Sequence, residues 1–86
     1  MGKVAVTFRI LPEGVEVDLS AIEVEVRKAL GARLKELAVS PVAFGLKAVN
    51  AIVVVDDASG EMEQVEGALA GIAGVGGVEA TDVTLL

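Results

Sequence analysis

The run Ala51-Ile52-Val53-Val54-Val55 is apolar at odd and even positions alike. Side chains on a strand alternate between opposite faces, so such a run belongs to a strand covered on both faces or lying centrally in its sheet. We assign it to a central strand within Leu46–Val55, which requires strands on either side. Val4, Val6, Phe8 and Ile10 fall on one face of a period-2 segment ended by Pro12-Glu13-Gly14, a first strand and its turn. Leu34 to Phe44 has strand-like composition but contains Pro41, which cannot donate to a ladder and so marks an edge strand or a bulge. Val78 to Leu86 reads as a last strand whose alternation slips near Thr81 and Asp82, the signature of a bulge.

Two helices connect these strands. Ile22-Glu23-Val24-Glu25-Val26 alternates like a strand, yet Leu19, Ile22, Val26, Ala29 and Leu30 also form a helical stripe. Cap residues favour the helix: Asp18 as N-cap, Ser20 and Glu23 at capping-box spacing, Arg27 and Lys28 for the C-terminal dipole, and Gly31 as the stop. Met62, Val65, Leu69 and Ile72 define the second helix, with Glu61, Glu63 and Glu66 on its wet side and Gly71, Gly74, Gly76 and Gly77 closing it. The order β-α-β-β-α-β predicts an α+β, ferredoxin-like sandwich. In it helices 19–30 and 60–72 lie on one face of a four-stranded antiparallel sheet of order 4-1-3-2. With 86 residues and no linker, residues 1–86 form one domain.

Composition narrows function sharply. There is neither Cys nor His, which removes disulfides, thiol nucleophiles, imidazole bases and nearly every transition-metal site. No apolar run approaches the roughly 20 residues of a membrane span, and no signal-peptide pattern follows Met1, so a cytoplasmic protein without membrane attachment is expected. Net charge is −6 but unevenly placed: residues 1–50 hold all seven bases against six acids, and residues 51–86 hold seven acids and no base. An acidic chain with only Phe8 and Phe44 as aromatics lacks the basic field and stacking platforms of nucleic-acid binders, so no direct nucleic-acid contact is expected. A monomer or weak dimer fits this composition.

Several motifs invite chemical readings. The glycines of Gly71–Gly77 close a helix and precede a strand, the reverse of a phosphate-binding loop, so helix termination is the better reading. Asp56, Asp57, Glu61 and Glu63 match no calcium-loop spacing and suit a helix's first turn. Asn50 reads as an amide bonded to a neighbouring strand or loop. No metal or cofactor is expected. An acylphosphatase-type enzyme would need an Arg after the first strand, where Pro12-Glu13-Gly14-Val15 has none. The segment Pro41-Val42-Ala43-Phe44-Gly45-Leu46-Lys47 stays open, because Phe44 is either the last core residue before a hairpin or an aromatic presented at its tip.

Asp18-Leu19 at the first helix, PVAFGLKAVNAIVVV from Pro41 to Val55, the acidic second helix and VEATDV from Val78 to Val83 together resemble the archaeal elongation factor 1-beta family over the whole chain. The resemblance implies a guanine nucleotide exchange factor that promotes GDP release from the GTPase elongation factor 1-alpha without covalent chemistry of its own. It implies a partner-binding site at Pro41, Ala43, Phe44, Gly45, Leu46 and Lys47, with no catalytic residue. Eukaryotic relatives end in a lysine that perturbs the magnesium and phosphate site. This chain has no basic residue after Lys47, so that role is not carried over. The alternative class is a small-molecule-sensing regulatory module of the same fold, which rests on fold analogy alone.

Overall fold

In the computed structural model, which describes residues 2–56 and 60–86, the fold is built outward from one strand pair. Strand β1 (Lys3–Pro12) runs antiparallel to β3 (Lys47–Asp56), from Lys3 opposite Asp56 to Ile10 opposite Val49. Strand β2 (Leu34–Pro41) pairs with the free edge of β3, and β4 (Val75–Leu85) with the free edge of β1. The resulting order β2-β3-β1-β4 is the expected 4-1-3-2 read from the other edge, with the apolar run of β3 central and Pro41 on an edge strand. Helices α1 (Leu19–Leu30) and α2 (Glu61–Ala70) complete the ferredoxin-like sandwich.

Periodicity decides what is buried. Val4, Val6, Phe8 and Ile10 of β1 meet Val49, Ala51, Val53 and Val55 of β3 in one cluster with Ile22, Val26 and Leu30 of α1 and Val65 and Leu69 of α2. Each such Val, Ile, Leu or Phe side chain contributes roughly 1.5–3 kcal/mol when fully buried. The alternate residues of β3, Ile52 and Val54, are only half-buried, so the unbroken apolar run reflects a central position rather than a second covering layer. Among the described residues, no helix is long and apolar enough to cross a membrane.

The caps of α1 explain why residues 22–26 are helical despite their alternation. Asp18 Oδ1 accepts the Ser20 N–H at 2.9 Å, Arg27 and Lys28 occupy the last turn, and Gly31 (φ 54°) donates its N–H to the Arg27 carbonyl. The expected Ser20–Glu23 capping box does not form, because Asp18 takes the cap and Ser20 lies inside the helix. Lys28 also pairs with Glu25 at 3.4 Å on the wet face.

Three boundaries differ from expectation by more than one residue. Strand β2 stops at Pro41, not Phe44, and a tight turn over Ala43–Gly45 follows. Helix α2 ends at Ala70, not 72: the Gly71 N–H still makes the helical bond to the Gly67 carbonyl at 3.1 Å, but the Ile72 N–H turns to the Leu69 carbonyl at 3.2 Å; Ile72 still packs against the core from the turn beyond. Strand β4 starts at Val75, not Val78, so Gly76 and Gly77 belong to the strand rather than to the helix stop. Leu11 faces Gly77 and Pro12 faces Val75, which leaves Gly76 as the extra residue of a bulge. The expected bulge at Thr81 is present: Thr7 faces Asp82, Phe8 faces Ala80, and Thr81 Oγ1 donates to the Thr7 carbonyl at 3.3 Å.

At Gly76 a Cβ would sit 3.0 Å from the Pro12 carbonyl oxygen and 3.1 Å from the Glu13 Cα, both backbone atoms that cannot swing aside. Gly76→Ala should therefore lower unfolding stability in urea titration by about 1–3 kcal/mol. Gly77→Ala, with open space around its Cβ, should cost less than about 0.5 kcal/mol.

Candidate functional site

The β2–β3 connection is set by the register of the strands that enter and leave it. Pro41 faces Lys47 as the last ladder pair, and the Val42 N–H donates to the Leu46 carbonyl at 2.8 Å. Just behind it, Asn50 Nδ2 donates to Ser40 Oγ at 2.7 Å and straps β3 to β2. The lone amide is thus bonded to a neighbouring strand, as its sequence position led us to expect.

Between these anchors the chain reverses in very few residues. Phe44 takes φ 63°, ψ 29° and Gly45 takes φ 78°, so two successive residues occupy left-handed backbone. For glycine this is free of steric penalty. For a bulky L residue it costs about 1–2 kcal/mol, and Phe44 is the only non-glycine residue at positive φ among those described. Its side chain is 96% exposed. Of the two positions open to it, Phe44 occupies the tip, and the core contains Phe8 as its aromatic.

The rest of the expected site surrounds that ring. Pro41, Gly45 and Lys47 are exposed and Leu46 is half-buried; Ala43 lies in the turn, its side chain outside the described residues. Lys47 makes no ion pair among the described residues, whereas Arg9 is paired with Glu79. The hairpin thus offers an uncovered aromatic beside an uncommitted cation. The side chains of this set therefore offer apolar surface and one positive charge.

The acidic candidates separate. Glu61 Oε1 accepts the Asp56 N–H at 2.9 Å, tying the end of β3 to the start of α2, while Asp57 lies outside the described residues. No group of three or more acids that could hold a metal ion occurs among the described residues. The glycines of 71–77 form a turn and the start of a strand, with no helix N-terminus to receive a phosphate. Sequence patterning marked the turn after β1 at Pro12-Glu13-Gly14 but gave no role to Val15, which is exposed at the hairpin's end of the sheet.

Residues 5–86 match the model of the EF-1 guanine nucleotide exchange domain family. The chain is 43% identical to elongation factor 1-beta of Methanothermobacter thermautotrophicus over all of this chain and 99% of that protein. It is 42% identical to elongation factor 1-beta of Methanococcoides burtonii, with 96% of each covered. Elongation factor 1-beta of Thermoplasma volcanium is 33% identical over the full length of both.

The exposure and backbone of Phe44 predict an unusual stability pattern. Phe44→Ala should unfold at nearly the wild-type temperature, since no buried ring is lost. Phe44→Gly should be the more stable of the two, because removing a left-handed cost of about 1–2 kcal/mol outweighs the about 0.4–1 kcal/mol of added unfolded-state freedom. Paired thermal melts decide it; a strong drop for Phe44→Ala would place the ring in the core.

Proposed function

Because the chain belongs to the EF-1 guanine nucleotide exchange domain family, we propose that it promotes GDP release from elongation factor 1-alpha by docking the Pro41–Lys47 hairpin on that GTPase. The observation that carries the site is Phe44, fully uncovered and held in a backbone state that its own chemistry disfavours. Phe44 is the anchor, Ala43 and Gly45 let the partner approach closely, and Pro41 and Leu46 frame the ring. Lys47 steers an acidic partner surface.

Exchange of this kind makes and breaks no covalent bond, which suits a chain with no His or Cys and with no cofactor in its proposed action. The factor binds the nucleotide-free GTPase more tightly than the loaded one. By linkage, whatever factor it takes off the nucleotide's affinity it loses in its own affinity for loaded GTPase, so a rebound nucleotide expels it. A reversible anchor of moderate strength serves that cycle better than a permanent interface. We place this activity in the cytoplasm, in one domain over residues 1–86, acting as a monomer or weak dimer without direct contact to nucleic acid.

The test is release of fluorescent GDP from elongation factor 1-alpha of the same organism. Wild type should accelerate it. Phe44→Ala should lose about 30-fold or more in second-order rate, the counterpart of an anchor worth about 2 kcal/mol, with its fold intact. Normal exchange by a folded Phe44→Ala protein would overturn the anchor. Lys47→Glu should slow association and flatten its salt dependence; an unchanged salt slope would remove the steering role.

A further inference from the structure

We infer that the GTPase-binding surface continues from the hairpin onto the turn between β1 and α1, with Val15 as a second apolar contact. The groove between the two loops then receives an apolar side chain of the GTPase that has a basic neighbour. This rests on the hairpin reading above.

A cavity of about 300 Å³ is lined on one side by Gly45, Leu46 and Lys47 and on the other by Gly14, Val15 and Asp18. Three of the residues proposed for docking therefore form one wall of it, and the surface is continuous rather than a second patch. Val15 is 69% exposed, while Val17, two residues on, packs against the core. The turn is tied at both ends, by the Glu13 N–H to the Gly74 carbonyl at 2.8 Å and the Val17 N–H to the Gly14 carbonyl at 3.3 Å. Val15 is thus held outward by its frame. A lone exposed valine is ordinary, but this one lines the same groove as Leu46 of the docking hairpin, so apolar surface is offered from both walls.

Charge defines what enters. The turn carries Glu13, Glu16 and Asp18, and the opposite wall carries Lys47. The Glu16 carboxylate folds back over Gly14, 2.7 Å from where a Cβ would stand, so negative charge is concentrated at the turn side of the groove. The complementary segment has an apolar side chain for the groove, a basic residue toward the turn and an acidic one toward Lys47. A volume of this size lies at the low end of small-molecule sites and suits a protruding side chain.

GDP release measured at subsaturating factor tests this. Val15→Ser should slow release about tenfold with an unchanged thermal midpoint. Val15→Lys, a base that the three neighbouring acids tolerate, should slow it at least as much by repelling the partner's base. Val24→Ser, at an exposed position on the outer face of α1, should leave the rate unchanged. If Val15→Ser and Val15→Lys both match wild type while Phe44→Ala is impaired, the groove is no part of the interface and the hairpin reading stands. If Phe44→Ala is also fully active, the hairpin reading falls and takes the groove with it. Sedimentation of wild type and Val15→Ser covers the other occupant: a dimer lost in Val15→Ser with exchange unchanged would assign the groove to a second copy and overturn the inference.

Discussion

Everything in this molecule hangs on the pairing of β1 with β3. Their inward residues, Val4, Val6, Phe8 and Ile10 against Val49, Ala51, Val53 and Val55, supply most of the buried surface on the sheet side. The helices have nowhere to dock until that face exists. Because the two strands are far apart in sequence, α1, β2 and the hairpin must be looped out between them before the pair closes. The entropy of that closure must be offset by apolar burial rather than by local turns. The register then propagates outward: it fixes where β2 can pair, and β2 fixes how short the connection to β3 has to be.

The hairpin is the functional consequence of that chain of constraints. Once Pro41 faces Lys47, few residues remain to reverse direction, and two of them are forced into left-handed backbone. Gly45 accepts this readily. Phe44 does so at a cost that the rigid sheet on either side imposes, and in return its ring has no inward path and stands in solvent. The exposed aromatic is therefore a product of strand register as much as of the residue itself. A binding anchor presented in this way is already in place before a partner arrives, with little ordering left to do at the interface.

How much of this was legible in the sequence follows from how local each determinant is. Helix α1 was legible to the residue, Leu19 to Leu30, because Asp18 and Gly31 act within one turn of its ends. Strand order was legible because Pro41 and the apolar run of β3 each restrict a strand to one kind of place. The end of β2 was not, since Val42-Ala43-Phe44 has the composition of a strand and only the ladder's last pair stops it. Nor was the start of β4, where Gly76 reads as a helix breaker until the close approach of the Pro12 and Glu13 backbone explains why no side chain fits. At the site, the hairpin residues were legible as a group. Whether Phe44 pointed in or out depended on a φ angle that no periodicity encodes, and Val15 gave too little pattern to be noticed beside the strong signals on either side.

The two irregularities of β4 carry a consequence for the behaviour of the protein in crowded solution. As an edge strand of eleven residues, β4 presents a long row of backbone donors and acceptors to any passing chain, and Val83 and Leu85 nearby are exposed. A straight strand of that length on a chain 53% hydrophobic would be a template for sheet growth. Breaks in register at Gly76 and Thr81 divide it into short segments, bend each away from the next, and leave a carboxylate in each of the two longer ones, Glu79 and Asp82. No incoming strand can match more than a few residues before it meets a mismatch or a carboxylate. The same bulges that adjust β4 to β1 thereby shorten the stretch of edge that a further strand could pair with.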